Sequence, residues 1–474
     1  MKKYILTIIA LATLWSCQTD EAYERLNRDP KNPTQVRADF LFTSATVSLG
    51  DQMASPNVNL NIFRFLAQYL TATTYLDEPN YDLNNRNIPQ NHWTILYRNV
   101  IFNLQDAKSI VMENAELSEG AKRARIGQIE VIEVYAWHVL VDSFGDIPYS
   151  EALDADISLP KYDDDAAIYD DLLNRLSAVV ADLEAGQGFT GADVVYGGDM
   201  EAWVKFANSL RLRLAMRISD VDAAKSVSHA NAAIAGGVFE SNADNALIQY
   251  QSSPPNTNPL WSDLVQSGRS DYVAANTIVD VMNDLEDPRR DDYFRQNLGA
   301  GVYEGGIYGA SNSFPLYTHA GDAFHDPTHP GILLDYAEVQ FHMAEAAQIG
   351  GYNTPMDAKG HYEEAIRASI LYWGGTEAEV TAYLAKSGVA YNGTEEQLGT
   401  QFWIAMYDNP FQGWSVWRKF DAPTLNIAEA SGLPVPLRYT YPVNEQNLNV
   451  DNYNAASSAI GGDDQQTQVF WDVD

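Results

Sequence analysis

A helix of this chain must end within Asp142-Ser143-Phe144-Gly145-Asp146-Ile147-Pro148-Tyr149-Ser150-Glu151-Ala152. The helical periodicity that precedes this segment stops at Gly145, because glycine commonly follows the last residue of a helix and Pro148 cannot continue one. We expect the carboxylates of Asp142 and Asp146 to accept hydrogen bonds from backbone groups around the resulting turn. The segment is therefore predicted to be scaffold and not a ligand site.

Helical periodicity also dominates the sequence on both sides of this turn. The aspartates at 163–165 and Asp199 are suited to cap the helices that follow them. Strand candidates are few and short, with Ala246–Gln251 the best of them. The chain is therefore predicted to be mostly α, although it lacks the strict 34-residue period of tetratricopeptide repeats. The predicted helices are Glu113–Asp142, Ile168–Leu183, Asp199–Arg217, Ile332–Ile349, Ala358–Trp373, Glu377–Ser387 and Thr394–Tyr407.

Three long loops rich in aromatic residues separate the predicted helices. They run from Ala72 to Gln90, from Pro254 to Tyr272 and from Gly301 to Pro330. Loops of this length without secondary structure are uncommon in compact domains unless they are functional or disordered. No low-complexity linker divides the chain, so we expect residues 17–474 to form a single domain.

The N-terminus is predicted to be a lipoprotein signal peptide at residues 1–16. Lys2 and Lys3 precede the apolar run Tyr4–Trp15, and the only cysteine of the chain, Cys17, follows it closely. The run is too short to be a good membrane span and is typical of a secretory signal. Cleavage before Cys17 would leave a lipidated N-terminal cysteine as the only membrane attachment. Trp15 departs from the usual small residue, and an ordinary signal peptide is the alternative.

The composition excludes some classes of partner. Removal of Lys2 and Lys3 leaves 28 basic and 64 acidic residues, a net charge of −36. Such a protein repels the phosphates of nucleic acids, so no nucleic-acid partner is expected. The same negative net charge also disfavours strongly anionic polysaccharides as ligands. A single cysteine allows no intramolecular disulfide bond, so the fold must be stabilised by core packing.

Many short motifs occur in an order that resembles the SusD/RagB family, specifically its SusD-like lipoprotein branch. The segment 142–152 is the most recognisable of them. Others follow along nearly the whole chain: Asn27-Arg28-Asp29-Pro30, Pro160-Lys161-Tyr162-Asp163, Ile168-Tyr169, Gly198-Asp199, Trp203, residues 205–213, Asp287-Pro288-Arg289, Tyr336-Ala337-Glu338-Val339, Ala344-Glu345-Ala346, Trp414, Trp417-Arg418, Arg438, Tyr441-Pro442, Glu445 and Asn447.

The resemblance implies a fold, a location and a partner. Family members have four tetratricopeptide-like helix pairs packed against a loop-rich lobe with few short strands. They are lipid-anchored at the cell surface in the outer membrane of Bacteroidetes, where an acidic stretch such as Gln18-Thr19-Asp20-Glu21 directs export. They act as a hinged lid on a SusC-like TonB-dependent transporter and deliver captured ligand to it. Most bind glycans and some bind peptides, without catalysis and without a cofactor.

The family motifs themselves are predicted to be structural. Arg211, Arg213 and Arg217 follow Trp203 on a helix with apolar neighbours, so we expect them to pair with buried acids. Tryptophans on or beside helices are expected in the core. They are Trp93, Trp203, Trp403, Trp414 and Trp417.

Ligand contacts are therefore expected in the three aromatic loops. Pyranose rings have apolar faces that stack on aromatic side chains, and their hydroxyls need amide, carboxylate and guanidinium partners. Each of these aromatics could instead pack its own loop against the core. The candidates are Tyr75, Tyr81, Asn84, Arg86, Trp261, Arg269, Tyr272, Tyr303, Tyr308, Tyr317 and Phe324.

Three alternatives remain beside the capture of a neutral oligosaccharide or polysaccharide. A peptide-capturing lipoprotein could use the same scaffold. A glycoside hydrolase would need two carboxylates, and no segment singles out an acid and a nucleophile. A metal site could use His319, His325 and His329 with Asp322 and Asp326, but their spacing matches no standard zinc pattern, so no metal is predicted.

Overall fold

The computed structural model describes residues 36–473. The predicted signal peptide, Cys17 and the motif Asn27-Arg28-Asp29-Pro30 lie outside this range. Within it, no helix combines the length and the hydropathy needed to cross a membrane.

The N-terminal part combines helices with one short strand. A stretch of π-helix, Ile95–Ile101, joins the third and fourth helices without a loop. Helix α1 packs against this stretch and against α4. The elements are α1 (Ala38–Ala54), α2 (Phe63–Leu66), β1 (Leu70–Ala72), α3 (Ile88–Thr94) and α4 (Phe102–Glu113).

The next four helices form two consecutive pairs, α5 with α6 and α7 with α8. Asp164 and Asp199 cap α6 and α7 as predicted, because their side chains accept hydrogen bonds from Ala167 N and Ala202 N. Helix α6 packs on α7, so the two pairs stack on each other. The helices are α5 (Glu119–Phe144), α6 (Asp165–Leu183), α7 (Met200–Arg217) and α8 (Ala223–Gly236).

A long insertion of loops and short elements follows α8. Its three strands take part in two small antiparallel sheets: β3 pairs with β1 of the N-terminal part, and β2 pairs with β4. The insertion contains β2 (Ala246–Ile248), α9 (Pro259–Trp261), β3 (Tyr272–Ala274), α10 (Asn276–Asp284), α11 (Arg290–Tyr293) and β4 (Gly331–Leu334).

Two further helix pairs, α12 with α13 and α15 with α16, complete the helical half. Helix α12 contacts both α7 and α15, so the four pairs stack in chain order and confirm the predicted mostly α fold with its loop-rich lobe. The remaining helices are α12 (Tyr336–Ile349), α13 (Ala358–Tyr372), α14 (Glu377–Leu384), α15 (Glu395–Ala405), α16 (Pro410–Phe420), α17 (Val443–Leu448) and α18 (Val450–Ala459).

The turn at 142–152 lies where the helical half meets the C-terminal segment. Helix α5 ends at Phe144, and Gly145 follows in a left-handed conformation, with φ +80°, that favours glycine. The Asp146 carboxylate accepts a hydrogen bond from Asp165 N at 3.0 Å, as expected of a turn residue. Asp142 differs from the prediction, because its carboxylate accepts from the side chains of Tyr169 and Trp471 and not from the backbone.

The predicted charge pairs and core tryptophans are largely present. Arg213 forms a fully buried ion pair with Glu338, and Arg217 Nε lies 3.9 Å from Asp142 Oδ2. Arg211 was predicted to pair with an acid but instead donates to His229 Nδ1 at 3.0 Å. Four of the five tryptophans are buried, and Trp417 is partly buried against the core.

Candidate functional site

A polar pocket of about 360 Å³ opens at one end of the β1–β3 sheet. Ala72 pairs with Tyr272 in antiparallel register, so the residues that follow β1 and those that precede β3 leave the sheet at the same end. Thr73 N donates to Asp271 O at 2.9 Å and continues this pairing by one residue. The first and second long loops, 72–90 and 254–272, are thereby held side by side around the pocket.

Tyr75 lies in the pocket wall close to two guanidinium groups. The guanidinium carbons of Arg86 and Arg269 lie 5.2 and 5.3 Å from its ring centroid. Arg269 also donates a hydrogen bond from Nη2 to the Tyr75 hydroxyl at 2.9 Å. The side chain of Tyr75 is 43% exposed, so an aromatic ring that cations hold in place faces the solvent of the pocket.

Each arginine is fixed by a carboxylate. Arg86 donates to the buried Glu78, and its Nη1 reaches Asn59 Oδ1 at 3.3 Å. Arg269 donates from Nε and Nη2 to the two carboxylate oxygens of Asp271. Paired guanidiniums keep donors for a ligand but lose the freedom to move, so the pocket is pre-organised to bind hydroxyl or carbonyl oxygens.

Asp263 adds a carboxyl group that is a weaker acid than usual. Its pKa is raised to about 6, chiefly by burial and also by the charge of Asp271, while the charge of Arg269 opposes the rise. The lining contains two arginines and two aspartates, so its formal charge is zero. An uncharged ligand with many hydroxyl groups fits this balance better than a polyanion does.

Comparisons with known proteins decide the family. The family described as "Starch-binding associating with outer membrane" matches residues 30–442, which is most of the chain. The chain is a member of the SusD-like family. No curated protein sequence matches it significantly.

Solved structures of similar proteins have the same fold as this SusD-like protein. A chitin-binding protein is 28% identical with a TM-score of 0.80, over 92% of this chain and 100% of its own. A SusD homolog from Bacteroides uniformis is 26% identical with a TM-score of 0.80, over the same shares. A chitin-binding SusD homolog from Flavobacterium johnsoniae is 25% identical with a TM-score of 0.77, over 92% of this chain and 97% of its own.

The structure brings together four of the residues selected from the sequence. Tyr75, Arg86, Arg269 and Tyr272 all line the pocket. Three other candidates, Asn84, Trp261 and Tyr317, are exposed or partly exposed outside the pocket lining. Trp261 ends α9, two residues before Asp263. Ligand contact by these seven residues stays a prediction.

The other four candidates pack their loops against the core. Tyr81 accepts a hydrogen bond from Gln68, and Tyr308 donates one to Phe65 O at 2.8 Å. Tyr303 donates to Asp291, and Phe324 packs beside Tyr407. All four side chains are buried, so in this conformation they offer no face to a ligand, and their contact with a ligand stays a prediction.

Five lining residues were not among the sequence candidates. Asn57, Val58 and Asn59 lie between α1 and α2, far in sequence from both long loops, and Asp263 and Asp271 flank Arg269. The two asparagines, which follow Pro56, carry a turn signal but no aromatic signal. Hydrogen bonds that Asn59 accepts from Arg86 and Asn91 bring this segment to the pocket.

The histidines considered as metal ligands are engaged separately. His319 stacks on Phe314 at 3.8 Å, His325 Nδ1 bonds to Gly321 O, and His329 Nε2 bonds to Asp408. Within residues 36–473, the group whose ligand atoms come within 4.8 Å of one another is Asp146, Asp164 and Asp165 at the turn after α5. Backbone N–H groups of Asp165, Ala166 and Ala167 already donate to these carboxylates.

This acidic turn should make the stability of the SusD-like protein depend on pH. Burial and the neighbouring Asp146 raise the pKa of Asp165 to about 7. The folded state therefore prefers the protonated carboxyl, and stability falls as pH rises from about 4 through 7. Asp165→Asn should raise the free energy of unfolding at pH 8 by more than about 1 kcal/mol, and the gain should vanish near pH 4.

Urea denaturation at pH 4, 6 and 8 with EDTA present measures this effect. Asp164→Asn is the matched control, because it removes the same charge from an exposed neighbour and asparagine still caps a helix. An equal gain in the free energy of unfolding at pH 4 and pH 8 for Asp165→Asn would show that the folded state does not raise the pKa of this carboxyl group.

Proposed function

We propose that this SusD-like protein captures an uncharged oligosaccharide or polysaccharide at the cell surface and passes it to a SusC-like TonB-dependent transporter. The observation that carries the proposal is the pocket at the end of the β1–β3 sheet. It combines a solvent-facing aromatic ring, two fixed guanidiniums, carboxylates and asparagine amides at zero formal charge. These are the groups that the apolar faces and the hydroxyls of a pyranose chain require.

Chitin oligosaccharides are the first ligands to test. Two similar structures, 28% and 25% identical to this chain, are described as chitin-binding. Chains of N-acetylglucosamine are uncharged, and their amide oxygens would accept hydrogen bonds from Arg86 or Arg269. Maltooligosaccharides are the second choice, because the family description names starch.

The membrane location belongs to the same proposal. The family is associated with the outer membrane. Lipidation of Cys17 after removal of residues 1–16 would hold the protein there, facing the outside, by several acyl chains, which is stable anchoring. A ligand captured at that surface would lie next to the transporter that imports it.

Capture is proposed without catalysis, although a glycoside hydrolase remains the alternative to exclude. Asp263 and Asp271 share the pocket, and the raised pKa of Asp263 is a property that a general acid would need. Asp271 is held by both nitrogens of the Arg269 fork, which engages the oxygens that a nucleophile would use. A peptide ligand on the same scaffold is the other alternative, and casein peptides test it.

Replacing Arg269 by alanine should weaken glycan binding at least tenfold. The change removes a hydrogen-bond donor from the pocket and frees Tyr75 and Asp271 from their common partner. Tenfold corresponds to about 1.4 kcal/mol of binding free energy. Isothermal titration calorimetry of the purified protein with chitin hexaose and maltohexaose measures the effect.

Arg123→Ala is the matched control for this variant. Arg123 forms an ion pair with Asp182 and is about half exposed, as Arg269 is, but it lies outside the pocket lining, so its replacement should change affinity less than twofold. Equal losses for Arg269→Ala and Arg123→Ala would contradict the assignment of this pocket. Unchanged binding by Arg269→Ala would contradict it as well.

A further inference from the structure

A second pocket, of about 310 Å³, lies on the helical half and shares no lining residue with the glycan pocket. Its charged side chains come from α12, α15 and α16 and from the residues that follow α7. They are Glu345, Glu395, Lys419 and Asp220. Three acids and one lysine give the lining a formal charge of −2.

The lysine has no capacity left for a ligand. Lys419 is buried, and its ammonium group donates to Asp220 and, at 2.9 Å, to Ser219 Oγ. The same nitrogen lies 3.4 Å from Glu345 Oε1. With three partners for three protons, Lys419 cannot serve an incoming anion.

Acceptor capacity, in contrast, remains. Glu345 is 4% exposed, and its Oε2 atom has no hydrogen-bond partner among residues 36–473. His342 Nδ1 lies 3.5 Å from this oxygen, too far for a good hydrogen bond. Glu395 adds an exposed carboxylate from the first turn of α15. A buried carboxylate oxygen without a donor is costly, so a donor with positive charge fits this pocket.

The rest of the wall is apolar. Ile349 and Val473 are 50% and 52% exposed at the rim, and Phe420 is partly exposed beside them. Long basic side chains cover apolar surface with their methylene groups while the charged end reaches an acid. Exposed apolar side chains around a charged centre are what a protein partner would cover.

We propose that this pocket receives an arginine or lysine side chain of a protein partner. The charged end lies against Glu345 and Glu395, and the aliphatic part lies against Ile349, Phe420 and Val473. The proposal is independent of the glycan site, because the two pockets have no residue in common.

Calorimetry of the purified protein at low salt tests this inference with defined probes. Nα-acetyl-arginine amide should bind, and Nα-acetyl-norleucine amide should not bind measurably. The capped tripeptide Leu-Arg-Leu should bind at least fivefold more tightly than capped arginine, because its leucines contact the apolar rim. A tripeptide that binds no better than capped arginine would indicate that the ligand is a free cation, and it would contradict the proposal of a protein partner.

Variants of two neighbouring glutamates distinguish binding at this pocket from nonspecific attraction to an acidic protein. Glu395→Gln should weaken binding of the tripeptide at least fivefold, whereas Glu396→Gln, one residue along α15 and outside the pocket lining, should change it less than twofold. Both residues are exposed, so both variants are expected to fold. Equal weakening by the two variants would show nonspecific attraction and would contradict a local site. Equal binding of the capped norleucine and the capped arginine would show that the positive charge is not recognised.

Discussion

Replacing Trp471 by alanine is expected to lower the free energy of unfolding by about 3–5 kcal/mol, the usual cost of deleting a buried tryptophan. Trp471 is buried near the C-terminus against the turn at 142–152. Its Nε1 donates to Asp142 Oδ1 at 2.9 Å, and the guanidinium carbons of Arg217 and Arg418 both lie 4.7 Å from its ring. The loss thus includes two cation–π contacts and one hydrogen bond to a buried carboxylate.

Urea denaturation followed by circular dichroism measures this loss. Val473→Ala is the control, because Val473 is half exposed two residues further along and its truncation should cost less than about 0.5 kcal/mol. A loss below about 1 kcal/mol for Trp471→Ala would mean that the C-terminal segment is not docked against α5 and α16 in solution.

The second large effect is expected at the ion pair that joins α7 to α12. Arg213 and Glu338 are both fully buried, and Arg213 Nη2 also donates to Leu333 O in β4 at 2.8 Å. Burial alone would raise the pKa of Glu338, but the charge of Arg213 lowers it to about 2. Arg213→Met would leave this carboxylate unpaired, so the free energy of unfolding should fall by about 3–5 kcal/mol.

The double variant Arg213→Met/Glu338→Leu distinguishes loss of the pair from loss of packing. Because the main cost is an unpaired buried charge, the double variant should recover at least half of the loss. Arg367→Met is the control, since Arg367 pairs with Glu377 at an exposed site and should contribute less than about 1 kcal/mol. A double variant less stable than Arg213→Met would contradict this account of the pair.

Sequence periodicity predicted the helical half well because its helices begin at strong caps and some of them, such as α6, bury one face. Glu377 follows Thr376, whose side chain caps α14 with a complete capping box, and the predicted Ala358–Trp373 differs from α13 by one residue. The predicted helix Ile332–Ile349 was wrong at its start, where Gly331–Leu334 forms β4. Four apolar residues fit a strand or a buried helix equally, and only pairing with Ala246–Ile248 decides between them.

The candidate site was harder to predict from the sequence than the helices were, for a physical reason. Tyr75 and Tyr81 lie in one loop and have the same chemistry, yet one faces solvent and the other bonds to Gln68 in the core. Local sequence does not determine which aromatic ring finds a partner from a distant segment, such as Tyr308 for Tyr81. Residues that reach the pocket through tertiary contacts, such as Asn59, carry no sequence signal of ligand binding.

Glycan capture without catalysis is tested by calorimetry of the purified protein against chitin and starch oligosaccharides, oligogalacturonate, alginate fragments and casein peptides. Each mixture is then assayed for new reducing ends over a day. We expect binding to an uncharged oligosaccharide that peptides do not displace, no binding to the polyanions, and no release of reducing ends. Binding to peptides or polyanions alone would contradict the proposed ligand class, and release of reducing ends would contradict capture without catalysis.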